Sequence, residues 1–434
     1  MANRLLHIGA AASATPGFIS VGQFPGAEVP CDVTQGLPFA DSSVDGIHCE
    51  HFIETLSQAQ GLALLRECRR VLTQEGLLRI DTPDLDTIIA TYVAADWQMQ
   101  GGAGESSADR GWLGSRSEYL DEQIRGHGRQ RLYNAEDLRR AAQFAGLDGG
   151  VRHDSGTGSL AMEFSARKHP LDTEPLVSIV IPGYRARYFG PAIASALNQT
   201  YPHIEILVLD DSGNDDIYQL IQASGAPDRI RYLKNTPRLG EAMSLTRGIS
   251  EARGQLIKPL YDDDFLLPDC VERMVAGMQK CPAANLLISR RFTINAAGER
   301  IESQAISVAT ASCEISGLSL AAFTLATGRN FIGPPSSVMF RRDDALTIPE
   351  CVMTFAGTPM YGAGDVAMYM NLLSRGDVVF LMDMLSEFRI HDDHTSSDPA
   401  IFPQERRSWI NLKHHGQRLG LIPADANIKI KRAI

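Results

Sequence analysis

The chain has 434 residues, 44% hydrophobic and 21% charged, with 41 Lys plus Arg against 52 Asp plus Glu and a net charge of −11. At roughly 100–200 residues per domain this length suits two domains. The acidic balance excludes non-specific nucleic-acid binding, which needs dense positive charge to displace counterions, so an anionic ligand would have to be met by a bound cation.

In chain order, Leu5–Gly9 (LLHIG) reads as an opening strand, Phe18–Val21 as a second and Val44–Cys49 as a third. Leu56–Leu72 carries Leu62, Leu65, Cys68 and Leu72 at helical spacing, with Arg66, Glu67, Arg69 and Arg70 mostly opposite. Gly76 is placed to end that helix, and Leu77–Asp81 returns as a strand. Gly101–Arg116 is Gly- and Ser-rich without periodicity and reads as a loop. Asn134, with Asp137 three residues on, reads as a helix N-cap for a helix to about Ala145.

The pattern breaks at Lys168–Pro175 (KHPLDTEP) and restarts. Val177–Ile181 is a strand, Tyr188–Asn198 a helix, and Ile204–Leu209 a strand running into Asp210-Asp211-Ser212-Gly213. Leu239–Ala252 is a helix, Gln255–Leu260 a strand running into Tyr261-Asp262-Asp263-Asp264, and Pro268–Gln279 a helix. Strands alternating with helices in both halves predict α/β architecture with largely parallel sheets. The domains are expected at 1–167 and 176–434, joined by 168–175. Two strands thus end in acidic clusters at the sheet edge where open parallel sheets bind ligands.

The seven cysteines are scattered and none lie at C-x-x-C spacing, so neither a zinc site nor a disulfide framework is expected, and the thiols read as reduced. No stretch approaches 18 apolar residues, and MANRLLHIG is too short for a signal peptide's apolar region. A cytoplasmic protein is expected. The basic and apolar tail Asn427–Ile434 reads as a frayed terminus; peripheral contact at the inner face of a membrane, and homo-oligomerisation, stay open.

Asp262, Asp263 and Asp264 are three adjacent carboxylates that repel one another by about 1 kcal/mol per pair at 4 Å in water, and by more at lower dielectric. A solvated acidic turn is one reading; the other is a hard-oxygen site for Mg²⁺ or Mn²⁺. The surroundings favour the second. VSIVIPGY (177–184), ALNQTYPHIEILVLDDSG (196–213), RLGEAMSLTRGISEARG (238–254) and YDDDFLLPD (261–269) together resemble family 2 glycosyltransferases of the GT-A fold in order and spacing. The resemblance implies that Pro182 and Tyr184 lie beside a nucleotide base, that Asp210 and Asp211 contact base and ribose, and that Asp262 belongs to the donor site. It implies Asp263 as metal ligand together with Asp264, with Tyr261 where many members carry the first acid of DxD; Asp262 and Asp264 can each compensate for that acid, so which of the three carboxylates binds the metal stays open. NFIGPPSSVMFRR (330–342) resembles the segment lining the sugar and acceptor site. GAGDVAMYMNLLSRGD (362–377) resembles the block whose aspartate is the catalytic base, here Asp365, with Gly364 and Asn371 replacing the usual Glu and Arg. A helix N-terminus is expected to keep Asp365 ionised, although a plain helix cap is the alternative role. FRIHDDHTS (388–396) resembles the late Arg-x-His element, implying His391 at the metal or diphosphate, Arg389 in support at the donor, and His394 as the weaker candidate. The implied reaction is inverting, metal-dependent transfer from a nucleotide-sugar, UDP by resemblance, to a glycan or lipid-linked acceptor hydroxyl, with a role in surface glycan or polysaccharide synthesis.

LHIG (6–9), GLPFADSSVDGIHCEHFIETLS (36–57), LLRECRRVLTQEGLLRIDTPDL (64–85) and GHGRQRLYNAEDLRRAAQFAGL (126–147) resemble class I S-adenosylmethionine-dependent methyltransferases. The cofactor devices are depleted. The usual Gly-x-Gly turn reads Gly9-Ala10-Ala11, and Gly22 stands where a ribose-binding acid is usual, while Asp32 remains at a position often near the adenine. A third-position Cβ intrudes on such a turn. The expectation is two Rossmann-like α/β domains, a non-catalytic methyltransferase-like one without S-adenosylmethionine and a GT-A glycosyltransferase. The competing expectations are a bifunctional transferase and a scaffold with decayed sites. HCEH (48–51), with Glu54, is not HExxH and has no zinc geometry on a helix, so no metal is expected there.

Overall fold

The computed structural model describes residues 4–9, 16–94, 115–154, 159–166, 170–302, 307–392, 399–423 and 426–434. Ala10, Ala11, Lys168, His394 and nearly all of Gly101–Arg116 lie outside them. The chain divides into two compact units, Met1–His169 with Arg418–Gly420, and Pro170–Gln417 with Leu421–Ile434.

The first unit holds strands β1 (Leu5–Ile8), β2 (Phe18–Gly22), β3 (Val29–Pro30), β4 (Val44–Glu50), β5 (Leu72–Pro83), β6 (Asp148–His153) and β7 (Ser159–Ser165). They form one sheet in the order β3-β2-β1-β4-β5-β7-β6, with β7 antiparallel to both neighbours and the other pairs parallel. The chain runs outward through β2 and β3, then crosses back to β4, so the order reverses between β1 and β4. Helix α1 (Gln58–Val71) starts at a capping box in which Ser57 and Gln60 satisfy each other's backbone N–H groups. It buries Leu65 and Cys68 in the core of this unit, and Leu62 is buried as well. It stops at Val71, not at Gly76: Leu72 is already extended, and Gly76 lies inside β5. Helices α2 (Leu85–Val93), α3 (Arg116–Arg125) and α4 (Ala135–Phe144) follow, and the Asn134 side chain accepts the Asp137 N–H at the head of α4.

The second unit begins with β8 (Val177–Gly183), α5 (Ala186–Leu197), β9 (Ile204–Asp210), α6 (Asp216–Gln222), β10 (Ile230–Lys234), α7 (Glu241–Glu251), β11 (Leu256–Pro259), β12 (Phe265–Leu266) and α8 (Cys270–Lys280). It continues through β13 (Ala284–Ile294), β14 (Arg300–Ile301), β15 (Cys313–Ile315), α9 (Gly317–Thr327), β16 (Val338–Arg341) and α10 (Arg342–Leu346). The small ribbon β17 (Thr354–Phe355) and β18 (Thr358–Pro359) precedes α11 (Gly364–Arg375), β19 (Asp377–Arg389), α12 (Phe402–Arg418) and β20 (Ile430–Ala433). The main sheet runs β10-β9-β8-β11-β16-β13-β19-β15-β20. Its first four strands are parallel, as the sequence pattern implies. Beyond β11 the sheet is mixed, because β16 enters antiparallel to both β11 and β13. The parallel strands read as unbroken apolar runs because helices cover both faces; Val177, Ile179, Ile181, Ile206 and Val208 are all essentially inaccessible. At Gly248 of α7 a Cβ would stand 2.4 Å from Val180 Cγ1, so glycine lets this helix lie close against β8.

Candidate active site

The C-terminal ends of β8, β9 and β11 lie side by side, with Gly183 in register with Asp210 and Val180 with Pro259. Each strand therefore delivers its following turn to the same edge. At the first turn Tyr184 is half exposed, and the Arg238 guanidinium lies 4.5 Å from its ring centre. At the second, Asp210 accepts from the Ser212 N–H and hydroxyl and from Tyr232 OH at 2.6 Å. Asp211 accepts from the Asn235 side chain and from the N–H groups of Leu239 and Gly240 at 2.7 and 2.8 Å. Both carboxylates are buried, and that of Asp211 shapes the loop that leads into α7.

The acidic triplet fans out in three directions. Asp262 Oδ2 accepts the N–H groups of Tyr184 and Arg185 at 2.6 and 2.8 Å, tying the third turn to the first. Burial pushes its carboxyl up to about 6 against those two hydrogen bonds. Asp263 lies with Oδ2 3.1 Å from His391 Nε2, which arrives just after β19. Asp264 turns inward, 1% exposed, and accepts the Arg389 N–H. Burial, then repulsion from Asp263, pushes its carboxyl up. Behind it Lys258 is wholly buried and donates to the carbonyls of Pro259 and Ser336 at 3.0 and 2.6 Å. Burial brings that ammonium down to about 8. Arg389, expected in support at the donor, turns its side chain toward backbone carbonyls. It is 3% exposed and donates to the carbonyls of Asp263, Asn295 and Ala296, between the rings of Tyr188 and Phe265. Its planar fork braces the turn from behind instead of reaching into the cleft.

Asp365 lies in the first turn of α11. Its Oδ1 accepts the Val366 N–H at 2.8 Å and its Oδ2 accepts from Asn330 Nδ2 at 2.8 Å. Asn330 is fixed in turn, since its Oδ1 accepts the N–H groups of Ile332 and Gly333. The expected ionising effect of the helix N-terminus is overridden. Burial first, offset by the Val366 N–H, and then the charge of Glu241 push the carboxyl up to about 7.

A match to the model "Glycosyl transferase family 2" covers residues 178–346, which includes all three turns, two of them acidic. The second unit contains a family 2 glycosyltransferase domain. Residues 15–80 match "Methyltransferase domain". A glycosyltransferase of Nostoc sp. is 26% identical over 247 residues, 56% of this chain and 73% of the relative. Chondroitin synthase of Escherichia coli is 37% identical over 108 residues, 24% of this chain and 16% of the synthase. The chain spans only 16% to 35% of the length of several other curated relatives. A solved structure of S. aureus TarS 1-349 in complex with UDP-GlcNAc aligns with a TM-score of 0.45 at 15% identity, covering 56% of this chain and 70% of that one.

In the glycosyltransferase domain the sequence reading missed Glu241. Its Oε1 accepts from Tyr261 OH at 2.7 Å, so a carboxylate from α7 reaches the residue that stands where an acid is usual. Glu241 is exposed to solvent, and desolvation by the surrounding protein pushes its carboxyl up. Only the meeting of the start of α7 with the turn after β11 reveals this; Tyr261 itself was the available signal. Lys258 was likewise hidden inside a strand.

In the methyltransferase-like unit the turn after β1 begins at Gly9 with φ +115°, and Gly22 ends β2. Asp32 accepts from the Thr34 N–H and hydroxyl, which hold its carboxyl below the usual range. HCEH falls on strand β4 and its end, not on a helix. All seven cysteines are free thiols, and among the described residues no helix is long and apolar enough to cross a membrane.

Proposed function

We propose that the second unit transfers a sugar, with inversion, from a nucleotide-sugar donor to an acceptor hydroxyl. The observation that carries this is two groups gathered about one carboxylate: Asp263 with His391, and Asp365 held by Asn330, with Glu241 near enough to feel the charge of Asp263 and to act on Asp365. A carboxylate oxygen and an imidazole nitrogen 3.1 Å apart suit a divalent ion that accepts both, which favours Mn²⁺ over the strictly oxygen-seeking Mg²⁺. Asp263 and His391 would hold it, with Asp264 and Arg389 fixing the turn behind. Such an ion, bound to the diphosphate, supplies charge neutralisation for the departing group.

The residues of the chain do the rest. Tyr184, open on one face and backed by Arg238, offers a shelf for the base next to Pro182. Asp210 and Asp211 hold the loop that closes around base and ribose, and Asp262 locks the shelf to the triplet. Asp365, with a proton affinity poised near neutral pH, takes the acceptor hydroxyl's proton as its oxygen bonds to the anomeric carbon. The bond to the nucleoside diphosphate breaks on the opposite face, and one displacement inverts the centre, by the geometry that separates inverting from retaining glycosidases. UDP as the nucleotide rests on the resemblance of the base and ribose turns. A glycan or lipid-linked acceptor, in surface polysaccharide synthesis, accords with the relative named chondroitin synthase. The test is a nucleotide-sugar panel with and without Mn²⁺, read as hydrolysis and thermal shift. Metal-dependent binding of at least one donor is expected; no binding to any donor with metal present would sink the reading.

A further inference from the structure

The first unit carries a cluster that the glycosyltransferase reading leaves unused. His7 on β1 and His48 on β4 are register partners across a parallel pair. Their rings stack with centres 5.0 Å apart and planes within 4°. Glu50, two residues beyond His48, shares its face of the strand, and its Oε2 is 3.1 Å from His7 Nε2. One ligand atom from each of the three side chains lies within 4.8 Å of the others. Zinc bonds of about 2.0–2.1 Å in a tetrahedron separate ligand atoms by about 3.3 Å, so the His7–Glu50 contact already has that spacing. Small side-chain rotations would bring His48 into it.

Three further observations point the same way. The cluster lies where strand order reverses between β1 and β4, toward the carboxyl ends of those strands, the place where open α/β sheets bind ligands. Next, His48 Nε2 stands 2.5 Å from Asp81 Oδ2 on β5, and Asp81 is itself held by Arg79 Nε at 2.8 Å. A carboxylate behind an imidazole is the arrangement that orients metal-ligating histidines. Finally, the side chains grade from His7 at 4% exposure through His48 at 21% to Glu50 at 39%. The inner ligand is fixed and the outer one opens to solvent, which leaves room for a further, exchangeable ligand. A backbone carbonyl closes the turn nearby: a Cβ on Gly9 would stand 2.4 Å from the Glu50 oxygen.

We infer that His7, His48 and Glu50 form a transition-metal site at the ligand-binding edge of the methyltransferase-like sheet, with Zn²⁺ as its preferred ion and one position open to solvent. Two imidazoles and one carboxylate select borderline ions such as Zn²⁺ over Mg²⁺ and Ca²⁺. HCEH works here as a strand pattern: alternate residues share a face, and the third ligand comes from a neighbouring strand.

The test uses the full chain stripped with chelator and titrated with Zn²⁺ by calorimetry, in an Asp263→Ala background that removes the proposed donor-side metal ligand. One equivalent per chain is expected, with Mg²⁺ failing to compete. His7→Ala with His48→Ala should abolish that equivalent, and Asp81→Asn should weaken it about 10- to 100-fold. Glu50→Gln, at a half-exposed position, keeps the test decisive if the double variant does not fold; it too should lose affinity by tenfold or more. Co²⁺ substitution should give visible absorption of a low-coordinate site that Zn²⁺ displaces. No Zn²⁺ binding in the Asp263→Ala chain, or binding unchanged by Glu50→Gln, overturns the inference. Neither result touches the glycosyltransferase reading, which is measured at the other unit.

Discussion

Replacing Asp365 with Asn should remove activity and stabilise the second unit at once, and the stabilisation should grow with pH. The folded carboxyl titrates near 7 against an ordinary 3.8. The sign follows from proton counting: between these values the folded state binds the proton that the unfolded state has lost, so stability falls as pH rises through the window. The gap corresponds to a ceiling of about 4 kcal/mol at 1.36 kcal/mol per pH unit. Asp365 is partly exposed, which screens its charge, and Asn forfeits one hydrogen bond of about 1 kcal/mol. A net gain of about 1–2 kcal/mol above pH 8 is expected, shrinking toward zero or below by pH 5. The groups facing Asp365 are Glu241 of α7, Tyr261 of the acidic turn, Tyr369 of its own helix and Asn330; they are unchanged in the variant, so their own titrations largely cancel in the difference. The assay is urea unfolding of both chains in chelator at pH 5 and pH 8, with donor turnover alongside. Loss of a general base should lower kcat by about 10²–10⁴. A stability difference that stays constant from pH 5 to pH 8 would refute the burial argument, and wild-type turnover in Asp365→Asn would refute the base assignment.

Asp263→Ala and His391→Ala should each abolish the thermal shift caused by Mn²⁺ with nucleotide; a shift retained in both would place the ion elsewhere. Tyr184→Ala should raise the donor KM by about 5- to 150-fold, the equivalent of about 1–3 kcal/mol of base stacking, with kcat nearly unchanged. A fall in kcat alone would assign the ring a different role. Lys258→Met keeps the volume but strands the Pro259 and Ser336 carbonyls beside buried Asp264, and should cost about 2–5 kcal/mol of unfolding free energy. A neutral result in denaturant titration would show that this buried cation holds nothing together.

The parallel core and the position of the acidic turns were legible before folding. Apolar runs of strand length bounded by helices specify the parallel core, and Asp210, Asp211 and Asp262 to Asp264 follow directly from the ends of two such runs. Asn134 caps its helix as its side chain dictates. These are properties of a residue and its near neighbours, and short-range physics determines them. What the tertiary structure alone decided is where those side chains point and what surrounds them. Asp263 meets a histidine 128 positions away, while adjacent Asp264 turns into the interior. Arg389 becomes a buried brace. Glu241 supplies, through space, a carboxylate to the place Tyr261 occupies. Asp365 shows the reason most plainly: its helix position argued for a low proton affinity, yet burial between elements remote in sequence raised it. His7 and the HCEH strand follow the same rule, for spacing along the chain says nothing about a ligand that arrives from the next strand. Desolvation and convergence depend on packing, and packing is set only when distant segments meet.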